Sequence, residues 1–247
     1  MTWHYKKWIL LNTLLKSLIM ENKTTEELPN GLVINYRKVG WIILITLAAP
    51  VILYYLWTRG IVYFKFSKEV YTEYFWYRAP WLLVHVICGI TATLIGPLQF
   101  IPAIRTKNPL LHRNLGKIYI GCVVLSTFVS FYLVSTAGLG IVYDTGLAML
   151  GIVWLTTTLM AWLSIRKGNK EMHKEWMIKS YVLTLSFVMF RFTEDLLARA
   201  GVSDFVGRKV LMAWACWAIP FFITELVLQL RKLLTSKMPQ HELRRDI

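Results

Sequence analysis

The sequence predicts an all-α membrane protein: a bundle of six transmembrane helices, preceded by an amphipathic interfacial helix, with both termini in the cytoplasm. Three observations lead to this fold class. The 247 residues are 56% hydrophobic and only 17% charged, which is too apolar for a soluble domain. Six apolar stretches reach the roughly 20 residues that a helix needs to cross a bilayer. The 28 lysines and arginines lie mainly between those stretches.

The first 38 residues are predicted to form an amphipathic helix and a polar linker. Apolar side chains recur at helical spacing between lysines from Trp3 to Leu18, which is typical of a helix lying on the membrane surface. The spread of lysines through residues 1–20 excludes a secretory signal peptide. Residues 21–30 are mostly polar and are predicted to be the linker.

Residues 39–231 are predicted to form the six-helix bundle, and residues 232–247 a basic cytoplasmic tail. The connections between the third and fourth and between the fourth and fifth spans are short, so these neighbours are expected to be antiparallel. The predicted spans are 39–57, 80–103, 115–136, 142–165, 175–197 and 209–230.

Positive charge predicts the orientation of the bundle. The two terminal segments and the connections at 103–114 and 166–174 together contain 18 lysines and arginines, whereas the alternate connections contain seven. Cytoplasmic loops are enriched in these residues, so both termini are predicted to be cytoplasmic. The same charge distribution argues against nucleic acid as a partner, because no basic stripe with interleaved aromatics is present.

One connection is rich in aromatic residues. The stretch GIVYFKFSKEVYTEYFWYRAP (60–80) contains eight aromatic side chains. It is typical of an interfacial belt at headgroup depth. Alternatively, it could roof a binding site for a lipid-like or quinone-like substrate.

The second predicted span carries a histidine beside small residues. His85, Gly89, Ala92, Gly96 and Gln99 share one helical face. This pattern is typical of close helix packing. It also predicts space for a flat macrocycle with His85 as an axial ligand.

The third predicted span repeats this pattern at its cytoplasmic boundary. His112 is followed one turn later by Gly116 and then by Tyr119. Arg113 is suited to pairing with a phosphate or a haem propionate, although an arginine at this boundary is also typical of positive-inside charge.

The fifth predicted span has a polar stripe along its whole length. Such a stripe is costly against lipid, so it is predicted to face the bundle interior and to reach both membrane faces, since 18 residues of helix span about 27 Å. The stripe comprises His173, Ser180, Thr184, Arg191 and Asp195, with Glu194 one residue aside.

Glu225 places a further carboxylate in the sixth predicted span. A lone carboxylate at this depth is expensive unless it is paired or protonated, so Glu225 is a candidate functional residue. Its predicted partner is Lys179 or a histidine at the cytoplasmic side. The cysteines at 88, 122 and 216 have no metal-ligand or disulfide spacing.

Three of these segments, in order, resemble a family of bacterial polytopic membrane proteins, domain of unknown function 2306. The segments are WLLVHVICGITATLIGPLQF, LHRNLGKIYIG and HKEWMIKSYVLTLSFVMFR, and they extend from about Trp81 to Arg191. The resemblance implies a polytopic fold and a membrane location but no activity. The histidine environments also resemble, more loosely, those of b-type membrane cytochromes.

Three functions remain open from the sequence, and whether the protein is an enzyme is not decided. The first is electron transfer through haem b, with His112 and His173 as ligands of the haem iron and His85 at a second site. The second is an enzyme or carrier for a lipid-like or quinone-like molecule. The third is a non-catalytic subunit or assembly factor, in which the polar stripes hold helices together.

Overall fold

The structure is a computed structural model that describes residues 25–27 and 33–235. The amphipathic helix predicted over residues 1–20 and most of the basic tail lie outside the described residues. The chain divides into two compact units, one formed by residues 1–52 and 230–247 and the other by residues 53–229.

The first unit contains a small antiparallel pair of strands. Strand β1 (Thr25–Glu27) pairs with β2 (Val33–Asn35), with Glu26 opposite Ile34. Helix α1 (Tyr36–Tyr55) follows directly, and its residues from Leu53 onward belong to the second unit. Apart from this short strand pair, the regular secondary structure of the described residues is helical, as the predicted all-α fold class requires.

All regular secondary structure in the described second unit is helical. A π-helical turn (Leu56–Gly60) and a 3₁₀ turn (Ile61–Lys65) extend the path of α1. The helices that follow are α2 (Lys68–Trp76), α3 (Ala79–Phe100), α4 (Pro102–Lys107), α5 (Pro109–Ser135), α6 (Ile141–Arg166), α7 (Lys170–Thr184), α8 (Ser186–Arg199) and α9 (Phe205–Thr235).

Five helical segments among the described residues are long and apolar enough to cross a membrane. This agrees with five of the six spans predicted from the sequence, with boundaries that differ by up to eight residues. The segments are Thr46–Lys65, Ala79–Phe100, Pro109–Ser135, Ile141–Arg166 and Phe205–Leu234.

The stretch predicted as the fifth span forms two consecutive helices, α7 and α8, which meet at Leu185. The Thr184 hydroxyl donates to the backbone carbonyl of Ser180 at 3.0 Å, a contact that bends helices. The backbone N–H of Leu185 is shared between two carbonyl oxygens, each at 3.2 Å. The helical path therefore continues through a kink, and neither helix alone has the length of a span.

Four helices form the centre of the second unit. Helix α3 packs against α5 and α7, and α6 packs against the same two helices, so α5 and α7 lie diagonally across the ring. The interior between them holds a buried apolar cluster to which α9 also contributes. Its members are Ala92, Tyr119, Val123, Trp154, Ala161, Met177, Leu183, Cys216 and Trp217.

Two glycines permit close approach between helices. A Cβ atom on Gly96 of α3 would lie 2.2 Å from the ring of Tyr181 on α7. A Cβ atom on Gly146 of α6 would lie 2.9 Å from the backbone oxygen of Ala213 on α9. Only a residue without a side chain fits at these two positions unless the neighbouring helix moves.

Candidate functional site

The polar side chains of the second unit gather at two ends of the helix ring. At the histidine end, α5 begins near His112 and α7 begins near His173. At the opposite, carboxylate end, α8 carries Glu194 and Asp195. Between the two ends lies a buried network of hydroxyl groups.

The hydroxyl network joins α5, α6 and α7 across the bundle interior. The Tyr119 hydroxyl lies 2.8 Å from the Ser180 hydroxyl and 2.7 Å from that of Thr184. The Trp154 indole N–H donates to the Thr184 hydroxyl at 3.0 Å, and the hydroxyls of Thr158 and Ser180 are 2.7 Å apart. All five residues are buried. The prediction that Ser180 and Thr184 face the interior is confirmed.

This network satisfies its own hydrogen-bonding groups. Its five side chains have five polar hydrogen atoms and form six polar contacts. Four of these contacts join two side chains, and two join a hydroxyl to a backbone carbonyl of its own helix. Every hydroxyl and the indole therefore have a partner inside the bundle, and no charge is buried with them. The network acts as a cross-link between helices and requires no bound molecule.

The network also fixes the relative height of His112 and His173. His112 precedes Tyr119 by seven residues on α5, and His173 precedes Ser180 by seven residues on α7. Seven residues make almost two complete turns, about 10.5 Å along the axis, so each histidine shares a face with its network residue. Because α5 and α7 run in the same direction and Tyr119 contacts Ser180, the two histidines lie at the same depth. They are close enough to interact electrostatically.

The ring of His173 is held by the backbone of α6. Its Nδ1 lies 2.8 Å from the carbonyl oxygen of Ala161, so Nδ1–H is the donor of this hydrogen bond. This fixes the tautomer and leaves Nε2 with an unshared electron pair. The same arrangement orients many histidines that bind metals.

His112 and Gln99 each bury a nitrogen atom without a partner. The Nδ1 atom of His112 and the Nε2 atom of Gln99 form no hydrogen bond with any described residue. The Gln99 side chain reaches the position beside Gly116, where a Cβ atom would lie 3.5 Å from its Oε1. Gly116 is one turn from His112, so both nitrogens belong to the same region of the histidine end.

His85 occupies a different site, between α3 and α5. Its Nδ1 lies 2.9 Å from the Ser126 hydroxyl and 3.2 Å from the Ser126 carbonyl oxygen. Next to it, a Cβ atom on Gly89 would meet nothing within 4 Å. Further along the helix, the Tyr181 ring fills the space at Gly96 and its hydroxyl donates to the Thr93 carbonyl, which is the close helix packing that the small residues predict as one alternative.

Glu225 is paired with Lys179, as one of the two sequence-based alternatives predicts. Lys179 Nζ lies 2.6 Å from Glu225 and 3.1 Å from Glu175. Only 5% of the Lys179 side chain is exposed, and its ammonium group lies 4.3 Å from the centre of the Trp176 ring. The Gln229 amide donates to the other Glu225 oxygen at 2.6 Å. These contacts tie α9 to α7 through charge.

The carboxylate end contains two sets of ion pairs. Asp195 accepts hydrogen bonds from the Tyr55 hydroxyl at 3.0 Å and from Arg59 at 3.1 Å. Glu194 pairs with Lys209 at 2.5 Å and with Arg191 at 3.3 Å. Glu194 is more buried than Asp195, and in the described part of the chain neither has a contact with His85.

The connection from 61 to 77, which we call the aromatic cap, has a small core of its own. The rings of Tyr63, Phe66 and Trp76 surround Tyr71, which is fully buried and donates its hydroxyl to the Tyr63 carbonyl at 2.8 Å. Buried Arg78 follows the cap and donates to the Thr136 carbonyl at the end of α5.

Several residues of these clusters could not be identified from sequence. Trp154 and Thr158 belong to a span in which polar and apolar residues show no clear stripe, and Tyr181 resembles an ordinary core aromatic. Lys209 was interpreted only as the boundary of the sixth predicted span, and Tyr55 only as an aromatic residue inside the first, so neither was a candidate site residue. No group of three or more histidine, cysteine or acidic residues within the described ranges has the geometry to hold a metal ion.

The long apolar helices and the charged residues buried between them define a polytopic helical membrane protein. The chain matches the profile of the family described as predicted membrane protein (DUF2306) over residues 82–228, more than half of its length, and it belongs to that family. The sequence-based assignment is confirmed, and the match extends through most of α9. Comparison with curated proteins and with solved structures gave no match.

Proposed function

We propose that the protein is a b-type membrane cytochrome that binds haem b between His112 and His173 and transfers electrons. The observation that carries this proposal is the matched position of the two histidines on the diagonal helices α5 and α7. A bis-histidine haem requires two imidazoles that face each other from opposite sides of one interior space. Diagonal helices of a four-helix ring meet this requirement better than neighbouring helices, whose side chains interdigitate.

The imidazoles of His112 and His173 suit haem binding for different reasons. His173 has its Nδ1–H bound to the Ala161 carbonyl, so its Nε2 is available and oriented. His112 has no hydrogen bond at its buried Nδ1 among the described residues, so no such bond to a described residue holds its ring away from a ligand. When bound, the haem would supply one-electron redox chemistry, and the residues around it would set its orientation and potential.

An absorption spectrum of the purified full-length chain tests this proposal. We expect a Soret band that shifts on reduction with dithionite, and haem b in a pyridine extract. His112→Ala and His173→Ala should each abolish the low-spin spectrum. His85→Ala is the matched control and should retain it. Absence of haem from protein made in haem-replete cells would overturn the proposal, as would equal loss in all three variants.

A second candidate function, binding of a quinone-like or lipid-like molecule, rests on the surroundings of His85. Its ring is anchored on Ser126, and the adjacent Gly89 faces open space. A quinone-like molecule that co-purifies with the wild type and with Gly89→Ala but not with His85→Ala would support this function. It would be rejected if both variants retained the molecule.

We further propose six membrane spans in the inner membrane of a bacterial cell, with α7 and α8 together as the fifth span in chain order. The 30 residues from Lys170 to Arg199 follow one helical path, and as a continuous helix they would be about 45 Å long. The interfacial helix over residues 1–20 and two cytoplasmic termini complete the topology, supported by the excess of positive charge on one side.

Reporter fusions distinguish six spans from five. A periplasmic reporter after residue 201 should be active and one after residue 168 should be silent if α7 and α8 cross the membrane. Equal activity at both positions would mean that the pair does not cross.

A further inference from the structure

We infer that Gln99, Arg105 and Arg113 form an anion-binding site at the histidine end, which takes the two carboxylates of the haem. This inference rests on the proposed function. It adds an orientation for the haem: the edge that carries the two propionates faces the side of the bundle formed by residues 101–113.

Gln99 provides the buried donor of this site. The residue is 7% exposed, and its Nε2 has no acceptor among the described residues. A buried amide N–H without a partner costs free energy, which an acceptor oxygen of a ligand would offset. The side chain lies over Gly116, so a ligand beside His112 comes within reach of it.

Two arginines supply the positive charge. Arg105 on α4 and Arg113 on α5 are both close enough to His112 to act on it electrostatically. Both side chains are exposed, and neither pairs with a carboxylate of a described residue. Arginine presents a planar fork of donors that suits carboxylates and phosphates.

The positive charge at the histidine end indicates that its ligand is an anion. Arg105, Arg113 and His173 all act electrostatically on His112, and the buried carboxamide of Gln99 lies beside Gly116, one turn from His112. Glu175, two residues from His173, is paired with Lys179, so it does not balance the two arginines. A ligand with two carboxylates would balance the two arginines, and haem b carries two. The phosphate of an anionic lipid has related chemistry and is the competing source.

Titration of full-length apoprotein with haem b and with its dimethyl ester tests this site, because the ester keeps the macrocycle but lacks the two negative charges. Apoprotein from a haem-deficient host, in neutral detergent, would be followed by absorbance. We expect wild type to bind haem at least tenfold more tightly than the ester, in line with charged hydrogen bonds of about 1.5–3 kcal/mol.

Variants of the three residues test whether they cause the preference for haem over its dimethyl ester. Arg105→Gln with Arg113→Gln, and separately Gln99→Leu, should weaken haem binding while leaving ester binding unchanged. Arg166→Gln, an exposed arginine at the same end, is the control and should change neither. Conservative Arg113→Lys should restore part of the preference.

Three outcomes would overturn the inference. If wild type bound haem and ester equally, the carboxylates would not be recognised, although haem binding itself would stand. If neither porphyrin bound, the proposed function would fail together with the inference. If the arginine variants lost a co-purified anionic lipid and phosphatidylglycerol competed with haem, the site would belong to a lipid phosphate.

Discussion

The Tyr119 hydroxyl on α5 lies 2.8 Å from the Ser180 hydroxyl on α7, and both residues are fully buried. The two helices are diagonal in the four-helix ring, so this contact crosses the bundle interior. It sets the depth of one helix against the other and therefore the relative position of His112 and His173.

Removal of this hydroxyl should destabilise the bundle. Tyr119→Phe leaves Ser180 and Thr184 with one partner fewer, and we expect a loss of about 1–3 kcal/mol in the free energy of unfolding. Reversible unfolding in mixed micelles would measure it. Tyr132→Phe is a matched control on the same helix, because Tyr132 is 44% exposed, and it should change stability little. Equal losses in the two variants would show that the network contributes nothing specific.

A side chain at Gly96 should disrupt the contact between α3 and α7. In Gly96→Ala the new methyl group would overlap the Tyr181 ring, and overpacking of this kind costs about 1–3 kcal/mol. Thermal unfolding in detergent would report the change. Gly89→Ala is the control on the same helix, where a methyl group meets nothing within 4 Å. If both substitutions were neutral, the ring of Tyr181 would not be packed against Gly96.

The buried lysine of α7 should be essential for attaching α9. Lys179→Met keeps the length of the side chain but leaves Glu175 and Glu225 without their shared cation. Breaking a buried ion pair in this way costs about 3–5 kcal/mol. Unfolding of the purified variant should reveal the loss, and proteolysis should show α9 released first. Lys174→Met, exposed on the same helix, serves as the control. Similar stability of both variants would contradict an energetic role for the pair.

The spans could be predicted because apolar length is a local property of the sequence. The kink at Leu185 could not be predicted in this way. It arises where Thr184 bonds back to the Ser180 carbonyl while its oxygen also accepts from Trp154, a residue 30 positions away. Helical periodicity gives the inward face of one helix but not the identity of the neighbour. For this reason the sequence could not decide whether the face with Gly96 packs closely or leaves space for a macrocycle, and it did not identify Tyr181 as the residue that fills this position.

The pairing of Glu225 with Lys179 was predictable because few charged groups lie at that depth, and each needs a partner. The hydrogen-bond partner of His85 could not be predicted, because helical periodicity does not identify the residue that a neighbouring helix places beside it. Ser126, an unremarkable serine in sequence, is the partner that His85 contacts.

The aromatic cap should lose stability at alkaline pH. Burial raises the pKa of Tyr71 above its ordinary value of 10.0, and the nearby Tyr63 adds to the shift. A raised pKa means that the folded cap holds the proton more tightly than the unfolded chain does. The stabilisation is therefore complete below about pH 10 and is lost as the pH rises through the higher pKa of the folded state.

Fluorescence of Trp76, which lies against Tyr71 in the cap, would be compared between wild type and Tyr71→Phe during an alkaline titration in detergent. Wild type should show a stability step above about pH 10, where tyrosine ordinarily ionises. Tyr71→Phe should be less stable at neutral pH, because it loses the hydrogen bond to the Tyr63 carbonyl, and should lack that step. Tyr77→Phe, which alters a side chain that is 88% exposed, should behave like wild type. An unchanged alkaline step in Tyr71→Phe would assign it to another tyrosine.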